Sequence, residues 1–163
     1  MLILFQNLGK KRACSKILNM STEYAWTKKG QELVDYNKKL VEEYPFLLPK
    51  NRFTGEAPED YDYTYTEMDA MPDGWRVAFG DELLRELKEE LVKYNFLDKY
   101  RILQIKEKYG SLRWYDAGVP QGGKIYDIIG KYENLSYYRC LGCGAEIPEK
   151  GLRMPLCKNC RNW

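Results

Sequence analysis

Two kinds of apolar repeat follow one another along this chain, and each marks an element. From about Thr27 to Tyr44, the residues Leu33, Val34, Tyr36, Leu40, Val41 and Tyr44 recur at helical spacing, while Lys38, Lys39, Glu42 and Glu43 cover the opposite face. Pro45 has no N–H to continue the ladder and ends this helix. A second helix begins at about Trp75 or Asp81 and runs to Asn95. Its apolar face is Leu83, Leu84, Leu87, Leu91 and Val92, and its solvated face is Glu86, Lys88, Glu89, Glu90 and Lys93. Over residues 101–116 the period changes to that of a β-hairpin. With Tyr109-Gly110 as the loop, Ile105 faces Trp114, Glu107 faces Leu112, and Lys106 faces Arg113. Leu103, Ile105, Leu112 and Trp114 then form an apolar face that packs on the helices, and Gln104, Lys106, Lys108, Arg113 and Tyr115 look outward. A third helix, about Gly123 to Ser136, leads into a cysteine-rich end.

The pattern predicts an α+β fold: helices packed on a small antiparallel β-hairpin, with a C-terminal zinc ribbon. Residues 1–20 lack clear periodicity and read as a loose N-terminal arm, since Met20-Ser21-Thr22-Glu23 looks like a natural start. The core domain then covers 21–137 and the ribbon 138–163. With 163 residues, the chain can bury roughly 70% of its unfolded surface, enough for a real core.

The cysteines carry the most specific chemistry. Cys140 and Cys143, then thirteen residues, then Cys157 and Cys160 form two Cys-x2-Cys turns, each able to aim two sulfurs at one ion. Four thiolates complete a tetrahedron around zinc and leave no open position for water, so the metal is structural. Arg139, Lys158 and Arg161 lie close enough in sequence to offset its negative charge. Gly142 and Gly144 fall where the first turn needs positive φ. Free thiols, disulfides or an iron–sulfur cluster are the alternatives. A treble clef would need a helix opening at the second pair, with only three residues after Cys160. Cys14 stands alone as an incidental thiol.

Composition narrows the rest. There is no histidine, which excludes serine–histidine and cysteine–histidine triads and two-histidine metal sites. No catalytic residues are identified, and the chain is read as non-enzymatic. Apolar residues precede Lys10, Lys11 and Arg12, the reverse of a secretory signal, and no apolar run approaches a membrane span. A cytoplasmic protein is expected, without membrane or small-molecule substrate.

Charge is unevenly spread. Residues 53–75 hold seven acids, Glu56, Glu59, Asp60, Asp62, Glu67, Asp69 and Asp73, and no basic residue. Asp60 to Thr66 alternates with Tyr61, Tyr63 and Tyr65, which predicts an extended edge segment with its tyrosines on one side. On the hairpin, Lys106 opposite Arg113 is a like-charge pair that an anion or the chain's own carboxylates must relieve. Gly118-Val119-Pro120-Gln121-Gly122-Gly123-Lys124-Ile125 has the outline of a phosphate loop, but Ile125 stands where Ser or Thr would hold Mg²⁺.

Gly74-Trp75, the stretch Gln104 to Tyr115, Glu133-x2-Ser136-x3-Cys140-x2-Cys143-Gly144 and Leu156-Cys157 together resemble a recurrent family of small bacterial and phage proteins. That prophage-type family shows a KEKFG-x-LRFY-like hairpin ahead of a cysteine knuckle pair. Its last ligand is often histidine, where this chain has Cys160. The resemblance implies a phage origin and no particular activity.

Two functions of different class follow. In the first, a phage-type zinc protein binds nucleic acid, or a nucleic-acid-handling protein complex, through Lys106, Lys108, Arg113 and Tyr115. In the second, Asp60, Asp62, Glu67 and Asp69 form a DNA-mimicking surface that inhibits a host protein, for example a defence nuclease such as a CRISPR effector.

Overall fold

The computed structural model describes residues 29–148 and 153–161. The arm expected over 1–20, with Cys14, and the helix start expected at Thr27 lie outside the described residues. Helix α1 spans Gln31–Glu43 and stops before Pro45, as the missing N–H requires. A 3₁₀ turn, Pro45–Leu47, then buries Phe46 and Leu47. The one fully buried residue of α1 is polar: Asn37 donates from Nδ2 to the Tyr63 carbonyl at 2.8 Å, tying the helix to the acidic segment.

That segment is not the extended strand its alternation predicts. The chain bends at Tyr63, whose φ is 62°. The Asp62 carboxylate accepts hydrogen bonds from the Thr64 N–H and hydroxyl at 2.9 and 2.7 Å. Tyr61 and Tyr63 pack ring to ring at 4.5 Å, and the Tyr61 hydroxyl donates to the Tyr65 carbonyl. Among the described residues no neighbouring strand offers these backbone groups a ladder, so local side-chain partners win. Next comes the 3₁₀ turn Glu67–Ala70, closed by a reciprocal cap in which Asp69 accepts from the Thr66 N–H and hydroxyl.

A helical turn, Asp73–Trp75, widens into a π-type turn, Arg76–Gly80, and continues as α2, Asp81–Lys93. Leu83, Leu84, Leu87 and Leu91 are buried as expected, but two flanking assignments are exchanged. Val92 is exposed and Glu90 is buried. At about 100° per residue, Val92 lies about 140° from Leu87 around the helix and Glu90 only about 60°. The Glu90 carboxylate accepts the Lys124 N–H at 2.8 Å, just ahead of α3, Ile125–Ser136. The place a phosphate would take in the glycine-rich loop is therefore occupied by the protein's own carboxylate.

Strands β1, Arg101–Lys108, and β2, Ser111–Ala117, pair antiparallel in the expected register, Ile105 with Trp114, Lys106 with Arg113, and Glu107 with Leu112. Tyr109 and Gly110 have φ of 53° and 78°, the left-handed pair of a type I′ turn. The register slips between Ile102 and Gln104. This bulge turns Ile102 into the core and leaves Leu103 half-buried, so Ile102 takes the inward place expected of Leu103. Helix α3 covers the outer edge of β2: the Leu112 N–H donates to Ser136 Oγ at 2.8 Å and the Trp114 N–H to Glu133 Oε1 at 3.1 Å. The hairpin's inner face, α2, Trp75 and Phe46 share one core, in which Phe46 meets Tyr100 edge-on at 5.6 Å. No helix among the described residues is long and apolar enough to cross a membrane.

Candidate metal centre and the outward hairpin face

The two halves of the metal site come from different local structures. Cys140 and Cys143 lie on a tight knuckle after α3, in which the Gly144 N–H returns to the Cys140 carbonyl and the Cys140 N–H to the Ala145 carbonyl, both at 2.8 Å. Gly144 has a φ of 72°, as expected, whereas Gly142 does not adopt positive φ. A Cβ at Gly142 would lie 3.2 Å from Cys160 Sγ, so that position is constrained by the facing ligand. The second pair does open a helix, the single turn α4, Lys158–Arg161, with the Cys160 N–H donating to the Cys157 carbonyl at 3.1 Å. A bridge between Arg139 and Glu146 is the β-structure here among the described residues, and residues 149–152 of the intervening segment lie outside them.

All four sulfurs lie within 4.8 Å of one another, with Cys143 and Cys157 at 3.6 Å. Ligands about 2.3 Å from a central ion form a tetrahedron with edges of about 3.8 Å, so the cluster can hold a metal ion with small adjustments. None of the four is in a disulfide. Burial pushes the Cys143 thiol well up. Burial also acts to raise Cys157, but hydrogen bonding from the Cys160 backbone and the Cys143 thiol outweighs it and brings Cys157 down to about 7. The Cys157 N–H donates to Cys140 Sγ at 3.3 Å, the kind of bond that favours a thiolate.

The knuckle is welded to the core by residues far away in the chain. Gly74 donates its N–H to the Leu141 carbonyl at 2.8 Å, and Trp75 Nε1 donates to the Arg139 carbonyl at 3.1 Å. A Cβ on Gly74 would lie 2.0 Å from the Cys140 carbonyl oxygen, and one on Gly144 would lie 2.4 Å from the Gly74 carbonyl oxygen. Two glycines thus permit a backbone-to-backbone approach that no other residue allows. Glu133 and Ser136, which precede the knuckle, are the two side chains that cover β2. Gly74, Trp75, Glu133, Ser136 and Gly144 accordingly form one continuous joint between hairpin, helix and cysteine cluster.

The predicted nucleic-acid residues stay together on the hairpin's outward side. Lys108 and Gln104 are exposed, and Tyr115 is 43% exposed. The like-charge pair separates: Arg113 reaches Glu133 at 3.6 Å, while Lys106 donates to Gln104 Oε1 at 2.7 Å and lies over the Tyr115 ring at 5.0 Å. Both carboxylates of the hairpin are engaged inside it, Glu107 with the Gly110 N–H and Asp116 with the Tyr100 hydroxyl. The predicted acidic residues are dispersed. Asp60 and Asp62 are exposed, Glu67 is half-buried with its carboxyl raised by burial, and Asp69 pairs with Arg76 at 3.0 Å. Arg76 also takes Asp73. It is the cation that residues 53–75 lack, and it sits one residue beyond them. Comparison with protein-family models, with curated proteins and with solved structures gives no match to this chain.

Proposed function

We propose that the four cysteines hold one structural Zn²⁺ and that this zinc-stabilised, non-enzymatic, phage-type protein binds nucleic acid through the outward face of its hairpin. The supporting observation is the charge arrangement of that face. Lys106 and Lys108 have no carboxylate partner among the described residues, and both hairpin acids are turned to internal hydrogen bonds. Surface ion pairs such as Arg113 with Glu133 are worth about 1 kcal/mol or less, so a phosphate can compete for that guanidinium as well. The zinc assignment rests on the all-sulfur donor set, which suits a closed tetrahedral structural site. The competing reading, a DNA-mimicking acidic segment, has less support, because Asp69 and Asp73 share the single positive charge of Arg76 and the chain does not run as an extended row of charges.

Two measurements test this. Elemental analysis of the purified full chain should find one zinc per molecule, and Cys143→Ser should lose it; iron with sulfide, or no metal, refutes the zinc assignment. Filter retention should show binding to DNA or RNA that weakens as salt rises, because bound phosphates release counterions. Exchange of both Lys106 and Lys108 for Ala should weaken retention of every sequence alike. A wild-type chain that retains neither single nor double strands at low salt refutes the nucleic-acid reading.

A further inference from the structure

We infer that the hairpin face takes single-stranded nucleic acid in preference to duplex, stacking bases on Tyr109 and Tyr115 while Lys106 and Lys108 meet the phosphates; this rests on the nucleic-acid reading above. A two-stranded ribbon reads the bases of an undistorted duplex by entering a groove, and the wider of the two, the major groove, is about 12 Å wide. This ribbon is too broad for that. Its strands are about 5 Å apart, and α3, with a diameter of about 10 Å, is hydrogen-bonded along the outer edge of β2 through Ser136 and Glu133. The inner face is buried on the core. What remains open is a shallow surface ending at the turn, and a surface of that shape with exposed rings suits unpaired bases.

Tyr109 is the more telling of the two rings. It occupies a left-handed position, φ 53°, where Asn, Asp or Gly fits without strain and a bulky side chain is unfavourable. Yet the residue is 69% exposed, with the Lys108 ammonium 5.6 Å from the ring centre. A strained backbone carrying a solvated aromatic gains little for the fold, and such outliers collect where a protein makes contacts. Tyr109 lies in the turn, one residue past the end of β1, and Gln104, the partner of Tyr115, is five residues before it, at most about 17 Å away. A short oligonucleotide can therefore reach both rings.

The ammonium groups over these rings fit the same event. An exposed cation–π contact changes an equilibrium by about two- to five-fold, whereas a stacked base contributes roughly five- to 150-fold. A base can therefore displace Lys106 from Tyr115 and Lys108 from Tyr109, and each freed ammonium then lies beside the phosphates of the strand that displaced it.

Fluorescence anisotropy on the full metal-loaded chain at low salt tests this, with a labelled oligothymidylate of about 15 nucleotides and a duplex of the same length. The single strand should bind at least about tenfold tighter. Tyr109→Asn should keep or raise the thermal midpoint while weakening single-strand binding about five-fold or more, a combination that a structural role for the ring would not give. Tyr115→Phe should bind like wild type and Tyr115→Ala should not. Duplex binding as tight as single-strand binding, or full affinity in Tyr109→Asn, overturns the inference and leaves the nucleic-acid reading standing. Failure of both oligonucleotides to bind removes that reading and this inference together.

Discussion

In residues 56–73 three of the seven carboxylates are drawn into the chain's own structure: Asp62 holds Thr64, Asp69 closes the turn at Thr66, and Asp69 and Asp73 share Arg76, while Glu56, Glu59 and Asp60 stay exposed. On the hairpin the opposite happens. Its acids go to internal bonds, and Lys106 and Lys108 are left with tyrosine rings and solvent. Both stretches interleave tyrosines with like charges, so in sequence they look equally suited to a partner. What separates them is whether a counter-charge is within reach once the chain has folded. Arg76 is close enough for Asp69 and Asp73, and no carboxylate reaches Lys106 or Lys108 among the described residues. A run of charge indicates a docking surface only after those internal partners have been found.

The largest expected effect comes where the acidic segment ends against the knuckle. Gly74→Ala forces a methyl group onto the Cys140 and Leu141 carbonyls and should destabilise the protein by about 3 kcal/mol in denaturant unfolding. Tryptophan fluorescence should change with it, since Trp75 is buried and bonded to Arg139. A neutral result would mean that the knuckle is not seated on Gly74.

Arg76→Ala sharpens the contrast between the two charged regions. It strips the partner from Asp69 and Asp73, and the Arg76 side chain is only 9% exposed, so a loss of about 1–3 kcal/mol is expected. The paired exchange of Lys106 and Lys108 for Ala should change stability by no more than about 0.5 kcal/mol while reducing nucleic-acid retention. If both variants lose similar stability, the distinction between internally committed and outward charge fails.

The smallest effect concerns Asp116. Burial raises its carboxyl above the ordinary value even though the Tyr100 hydroxyl donates to it and favours the charged form. A carboxyl with a raised folded-state pKa binds its proton more tightly in the native chain. Its contribution is therefore fully present below the unfolded value of about 3.9 and is lost as pH rises through the folded value. Asp116→Asn, which can still accept from Tyr100, should raise the unfolding midpoint at pH 7 and match wild type near pH 3. Equal midpoints across the range would show that burial costs this carboxylate nothing.

Much of the fold was legible in the sequence because it depends on local rules. Helical spacing located α1 and α2, Pro45 stopped α1, and Tyr109-Gly110 set the hairpin register that pairs Lys106 with Arg113. The four cysteines were legible for the same reason, since the Cys-x2-Cys spacing is itself the ligand geometry. The misses share a different cause. Whether Ile102 or Leu103 faces inward depends on a bulge, the acidic segment bends where no strand among the described residues pairs with it, and Glu90 is buried because Lys124 offers it an N–H from another element.

By itself, then, the chain determined its main helices, its hairpin register and the four cysteines that could hold a metal ion, all set by interactions between near neighbours. Tertiary structure decided which charges are neutralised and which glycines are indispensable. Arg76 between two aspartates, Glu133 on β2 and Gly74 against Cys140 bring together residues that sequence spacing does not relate. The physical reason is range: hydrogen-bonding geometry within a turn is fixed over a few residues. Desolvation, ion pairing and backbone contact are fixed only when distant segments meet.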